Sequence, residues 1–231
     1  MAIVFGPGIE IGPGISITSA NAYVTSGLIT YLDAGDNSSY PGTGTTWTDL
    51  SGAANNFTLT NNPPWTNAGS TSYFTMAGGY AVSTAILPAA AYTKISVFYV
   101  TGSFLNIISG GITSNDHAFW GNNSRYLQAG HNGAWSTVAS PVITPINQWV
   151  FGAVSFNTTT GWRLYLNQNT PVTNASTTTF SPTPAACEVG AFQNGNFLGG
   201  RAAVAMIYNR VLSDSEITQN YNYFKSRFSI S

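Results

Sequence analysis

Trp149-Val150-Phe151-Gly152-Ala153-Val154-Ser155-Phe156-Asn157-Thr158-Thr159-Thr160-Gly161-Trp162-Arg163-Leu164-Tyr165-Leu166 reads as two β-strands joined by a polar turn. Alternation in the second strand sets Trp162, Leu164 and Leu166 on one face and Arg163 and Tyr165 on the other, so one face is expected to be core and the other wet. The same period-2 signal recurs outward from this hairpin in short runs bounded by turn residues. These are Leu28 to Leu32, Tyr73 to Met76, Tyr80 to Ser83, Ile95 to Val100, Ile107 to Ser109, Tyr126 to Ala129 and Arg201 to Tyr208. So many short strands argue for an all-β, two-sheet antiparallel sandwich.

One helix is expected, at the C-terminal end. Ser213-Asp214-Ser215-Glu216 has the form of a capping box, with acids at the positive end of the helix dipole and Lys225 and Arg227 near the negative end. Ile217, Tyr221, Phe224 and Phe228 recur at steps of four, three and four, an apolar stripe suited to packing on a sheet.

Charged residues make up 6% of the 231, against a usual share of about 25%. The 43% of hydrophobic residues, six Trp among them, can bury enough area to offset chain entropy, so the chain is expected to fold with a neutral, amide- and hydroxyl-rich surface. A net charge of −1 supplies no basic field, which argues against nucleic-acid partners and against anionic membranes. No apolar run is long enough to insert in a membrane. Cys187 stands alone, so no internal disulfide is expected and a buried thiol is. The start Met1-Ala2-Ile3-Val4-Phe5 lacks the basic region of a secretion signal. Composition accordingly explains the Asn-x-Ser/Thr triplets at Asn37, Asn56, Asn122, Asn157 and Asn174 better than glycosylation does.

Residues 6 to 17 hold a tandem repeat, Gly6-Pro7-Gly8-Ile9-Glu10-Ile11 and Gly12-Pro13-Gly14-Ile15-Ser16-Ile17. Pro cannot donate to a ladder and Gly weakens a strand, so residues 1–22 read as an extended arm and 23–231 as the sandwich domain. Ile3, Val4, Phe5, Pro7, Ile9, Ile11, Ile15 and Ile17 need cover, either from the arm's own domain or from another subunit or protein, and the second is favoured.

Four segments resemble the LamG-like branch of the concanavalin A-like jelly rolls, particularly versions found in tailed-phage virion proteins. Gly27-Leu28-Ile29-Thr30-Tyr31-Leu32-Asp33-Ala34-Gly35 is similar to the opening strand of that group. Thr46-Trp47-Thr48-Asp49-Leu50-Ser51-Gly52, with Asn55-Asn56-Phe57-Thr58-Leu59, is similar to its Trp-x-Asp-x-Ser-Gly loop. The hairpin quoted first resembles the central one. The run from Ala203 to Ile217 resembles the closing strand and helix, and the matches share one order across about residues 26 to 228. The resemblance implies a jelly-roll sandwich and a non-enzymatic virion structural protein, a head decoration, fibre or tail-appendage subunit. It would be anchored by the arm to other virion proteins, assembled in the host cytoplasm, displayed on the virion surface and homo-oligomeric, with a trimer favoured. The alternative is a lectin-like adhesion module that binds a host cell-surface glycan.

No catalytic residues are expected. A glycosidase of this type needs two acids close together, whereas Glu10, Glu188 and Glu216 are scattered and Glu188 has no acidic neighbour within a strand's length. Cys187, His117 and His131 sit in no nucleophile motif, and Asp116-His117 reads as an exposed loop. No cofactor is expected either, calcium being the one in view: it takes six to eight oxygen ligands, for which Asp33, Asp36, Asp49, Asn55 and Asn56 are the candidates. Asx-turns suit the same side chains equally. For a glycan, Trp120, Tyr126, His131, Asn132 and Trp135 combine aromatic, amide and imidazole groups on neighbouring segments.

Overall fold

The computed structural model describes residues 22–84, 86–102, 106–110, 116–180 and 186–231. The arm residues Ile3, Val4, Phe5, Pro7, Ile9, Ile11, Ile15 and Ile17 lie outside these. In chain order the strands are β1 (Leu28–Asp33), β2 (Thr46–Trp47), β3 (Phe57–Thr60), β4 (Trp65–Thr66), β5 (Tyr73–Thr75), β6 (Tyr80–Ser83), β7 (Ala91–Val100) and β8 (Ile108–Ser109). They continue with β9 (His117–Gly121), β10 (Tyr126–His131), β11 (Ala134–Ile143), β12 (Trp149–Asn157), β13 (Gly161–Leu166), β14 (Val172–Asn174), β15 (Cys187–Val189) and β16 (Gly200–Tyr208), followed by helix α1 (Asp214–Phe228).

The first layer runs β14-β13-β12-β7-β16-β5-β4, with β1 also paired to β16. The second is built from β2-β3-β6-β15-β8 and β9-β10-β11. These two pieces are stitched into one layer between β8 and β9: Ile107 N–H donates to the Phe119 carbonyl at 2.9 Å, and Gly110 and His117 exchange backbone bonds at 3.0 and 3.1 Å. Every strand pair in the ladders is antiparallel, so the fold is the expected two-sheet sandwich.

Side-chain alternation assigns each residue to one of two apolar layers. Tyr92, Phe98 and Val100 of β7, Val150, Val154 and Phe156 of β12, and Trp162, Leu164 and Leu166 of β13 fill the space between the sheets with Trp47, Phe57, Phe119, Leu127 and Val189. The odd residues Ile95, Val97, Phe151 and Ala153 point the other way, where Ile217, Tyr221, Phe224 and Phe228 of α1 cover them. This corrects the expectation that the outer face of the hairpin is wet. Tyr165 is buried, and its hydroxyl donates to Asp214 Oδ1 at 2.7 Å, because α1 lies over that face.

The helix begins as its sequence dictates. Ser213 accepts from the Glu216 N–H, the Glu216 carboxylate accepts from the Ser213 N–H at 2.8 Å, and Ser229 closes the helix in the left-handed conformation. A buried polar knot ties the helix to the start of the described chain. Asn220 accepts from Val24 N–H at 2.9 Å and donates to Tyr208 Oη, which in turn donates to the Val24 carbonyl at 2.8 Å. Among the described residues no helix is long and apolar enough to cross a membrane.

Candidate functional site

Asn132 and Gly133, with φ of 52° and 84°, form the two-residue turn that joins β10 to β11, the geometry an Asn-Gly pair favours between twisted strands. That turn places Trp135 next to Trp120 of β9. Trp120 Nε1–H donates to the Trp135 carbonyl at 2.8 Å, so its one polar group is used and the ring offers carbon surface. Inward residues of this sheet, Phe119, Leu127, Ala129 and Val138, belong to the core, while Trp120 stays partly exposed on the outer face.

A third aromatic arrives from the segment between β15 and β16. Phe192 and Gly195 exchange backbone hydrogen bonds at 2.8 and 3.1 Å, and Gln193, Asn194 and Asn196 all have positive φ. This tight curl sets the Phe192 ring edge-on to Trp135, with centroids 5.3 Å apart. Asn106 braces the loop from below by donating to the Asn196 carbonyl at 3.0 Å. Trp120, Trp135, Phe192, Asn106 and Asn196 thus line a cleft of about 180 Å³, and a second, more open depression of about 460 Å³ is lined by the same two tryptophans with Gly133 to Thr137. The arrangement offers aromatic surface bounded by amides, the composition of a site for an uncharged amphipathic ligand.

Trp120 and Trp135 are therefore brought together as their sequence neighbourhood suggested, but the other three glycan candidates are not in the cleft. His131 is 2% exposed and points inward. Its Nδ1–H donates to the Thr178 carbonyl at 3.0 Å, which makes Nε2 the acceptor for the Tyr92 hydroxyl at 2.7 Å. Burial pushes its basicity down to about 4, and it is a core residue rather than a contact residue. Asn132 shapes the turn and donates to the Thr179 carbonyl at 2.7 Å, while Tyr126 sits at the opposite end of β10, paired with Ile143. Phe192 and Asn196 were missed because they lie far along the chain, although Asn194-Gly195 carries a turn signal.

The calcium candidates are already engaged in local hydrogen bonds. Asp33 pairs with both terminal nitrogens of Arg227 at 2.5 Å and accepts from Gly35 N–H and the Tyr31 hydroxyl. Asp36 accepts from Ser38 N–H in an Asx-turn. Asp49 takes the N–H groups of Tyr31, Ser51 and Asn55 and the Ser51 hydroxyl. Asn56 accepts from Asp49 N–H, and Asn55 donates to the Ile29 carbonyl. Among the described residues no group of three or more His, Cys, Asp or Glu is placed to hold a metal ion.

Two further sequence readings change in three dimensions. Asp116 and His117 are not an exposed loop: both are 1% exposed, where the chain enters β9. Glu188, isolated in sequence, is close enough to Asp116 for that charge to help raise its proton affinity, though burial is the larger cause. Gln193 donates to Asp116 at 2.9 Å and Asn194 N–H points at the Glu188 carboxylate, so both acids are built into the loop that carries Phe192. Cys187 is a buried free thiol, as its solitary place in the sequence suggested, and burial raises it to about 12.

A laminin G-type family model, described as the concanavalin A-like lectin/glucanases superfamily, matches residues 51–218. The chain belongs to this superfamily. No curated protein sequence matches it. Superfamily architecture also appears in solved structures. Trypanosoma rangeli sialidase in complex with sialic acid aligns at 14% identity and a TM-score of 0.63 over 91% of this chain and 35% of the sialidase. Domain 4 of AbnA, a GH43 extracellular arabinanase from Geobacillus stearothermophilus, in complex with arabinotriose, aligns at 15% identity and a TM-score of 0.64 over 84% of this chain and 98% of that domain. The binding domain of botulinum neurotoxin DC in complex with SialylT aligns at 12% identity and a TM-score of 0.62, covering 86% and 52%. The chain spans about a third of the sialidase, and at these identities the likeness is one of fold.

Proposed function

We propose that this superfamily member is a lectin-like carbohydrate-binding module whose contact surface is the cleft between Trp120, Trp135 and Phe192. The observation that carries this reading is the placing of Trp120 and Trp135 in one cleft, with the Trp120 Nε1–H bonded to the Trp135 backbone carbonyl, beside a third ring and two amides. Sugar C–H faces pack on aromatic carbon while their hydroxyls bond to amides, and a site without charge suits a neutral glycan. The carbohydrate complexes of the similar folds support the same reading. Binding rather than hydrolysis is proposed because the neighbouring acids Asp116 and Glu188 are 1% and 0% exposed and cannot flank a scissile bond in solvent.

A glycan array with the wild-type chain, Trp120→Ala and Trp135→Ala tests the proposal. Saturable binding that drops at least about tenfold in both variants, with melting temperatures changed little, is expected. No binding at high protein concentration, or binding that both variants retain, overturns it.

A narrower reading sets the module on a virus particle. It is supported by the shared order of the four LamG-like segments and by the Gly-Pro-Ile repeat of residues 6 to 17, whose isoleucines call for a partner surface. In that reading the arm anchors the subunit to other virion proteins or to further copies of the chain, and the sandwich meets the host. Particles assembled with a chain lacking residues 1 to 21 would lose this protein; normal incorporation overturns the reading.

A further inference from the structure

On the opposite side of the first layer from the aromatic cleft, the end of β13 and the turn after it face the first half of α1 across a groove of about 340 Å³. Its floor is apolar and aromatic, formed by the buried residues Tyr165, Ile217 and Tyr221. Its rim is exposed and polar, formed by Gln168, Asn169 and Thr218 with Asp214. Asp214 is held in place by Arg163 at 2.6 Å and by the Tyr165 hydroxyl, so the acidic side chain on the rim is already paired.

Tyr221, which lines this groove, carries a hydroxyl that the fold leaves without a partner. Tyr221 is 1% exposed, and its hydroxyl has no hydrogen-bond partner among the described residues. Its ring is fixed, edge-on to Phe151 at 5.5 Å and beneath the Lys225 ammonium at 5.4 Å, so the hydroxyl is held rather than free to turn away. A buried hydroxyl without a partner costs free energy, whereas Phe at the same place would pack with no polar atom to satisfy.

We infer that this groove is a second ligand site, independent of the aromatic cleft, that takes a neutral hexose or similar polyol, with Tyr221 Oη bonding one ligand hydroxyl. The apolar floor meets the ligand's carbon face, the amides of Gln168 and Asn169 and the Thr218 hydroxyl meet its rim, and the volume falls in the range of small-ligand sites.

Tyr221→Phe tests this with two readouts on the full-length chain. Without ligand the variant should melt at the same temperature as the wild type or higher, since only an unpaired hydroxyl is lost. In NMR titrations with glucose, galactose and mannitol as separate probes, the amides of Gln168, Asn169 and Thr218 should shift and saturate in the wild type and in Trp120→Ala. In Tyr221→Phe the affinity read from those amides should fall about tenfold. A lower melting temperature in Tyr221→Phe overturns the proposal, because the hydroxyl then has a structural partner. Unmoved groove amides, or equal affinity in wild type and variant, overturn it as well, whatever the result at the cleft.

Discussion

Lys94 Nζ and His117 Nδ1 share a hydrogen bond of 2.6 Å in the space between the two sheets, with both side chains essentially inaccessible to solvent. The amine also donates to the Ile108 carbonyl at 3.0 Å. Burial lowers Lys94 to about 7 and, with the Lys94 charge as a smaller contribution, pushes His117 well below its ordinary value.

The pH dependence of stability follows from that pair. Unfolded Lys94 holds a proton up to about pH 10.5, whereas in the fold it does so only up to about 7, so the unfolded chain binds more protons in between and stability rises with pH across that window. Relative to Lys94→Met, the wild type should gain about 3 kcal/mol between about pH 7 and about pH 9.5. Urea titrations of both chains at the two pH values measure this, and parallel behaviour would show that Lys94 is not neutralised by its site.

Gly152 of β12 faces the core, where an added Cβ would lie 2.9 Å from Phe98 of the neighbouring β7 and 3.2 Å from Phe119 of the opposite layer. The ring edges belong to a packed core and have little room to retreat. Gly152→Ala should cost about 1–3 kcal/mol in chemical denaturation, although Ala is the better strand residue in isolation. An unchanged midpoint would mean that the layers can separate locally at no cost.

Arg227 and Asp33 join the end of α1 to β1 through a two-point ion pair, with side chains 17% and 2% exposed. Arg227 also donates to the Ser70 carbonyl. Arg227→Ala leaves a buried carboxylate facing only the Tyr31 hydroxyl and Gly35 N–H, so a loss of about 3–5 kcal/mol is expected. Arg227→Lys, which keeps the charge but not the fork, should recover part of it. Thermal melts of the two variants would separate charge from geometry.

Ser213→Ala removes the capping acceptor of the Glu216 N–H and should cost about 1 kcal/mol. Glu216 itself is held down at about 2, chiefly by Arg210. Its folded value lies below its unfolded one of 4.5, so its contribution is present above pH 4.5 and disappears as pH falls toward about 2. Arg210→Gln should therefore flatten the acid limb of the stability curve in that range, which far-UV circular dichroism across acid titration would reveal.

The local elements were legible in the sequence because their causes are local. The hairpin from Trp149 to Leu166 and the capped helix with its stripe at Ile217, Tyr221, Phe224 and Phe228 form where period and capping place them. Strand β11 and the short β2, β4 and β14 carry too little alternation to be read, and Asp116-His117 reads as a loop because Asp is a common turn residue, although His117 opens β9. What the chain by itself determined is a neutral, β-rich sandwich with one packing helix, since those features depend on side-chain period, composition and caps within a few residues. Which polar groups face solvent was decided only by tertiary packing. His131 and Trp135 lie four residues apart, yet one enters the core and the other joins the cleft, because β10 and β11 meet at the Asn132-Gly133 turn. Phe192 reaches Trp135, Lys94 reaches His117 and Tyr221 stands over its groove through contacts between distant strands, and no pattern along the chain encodes that proximity.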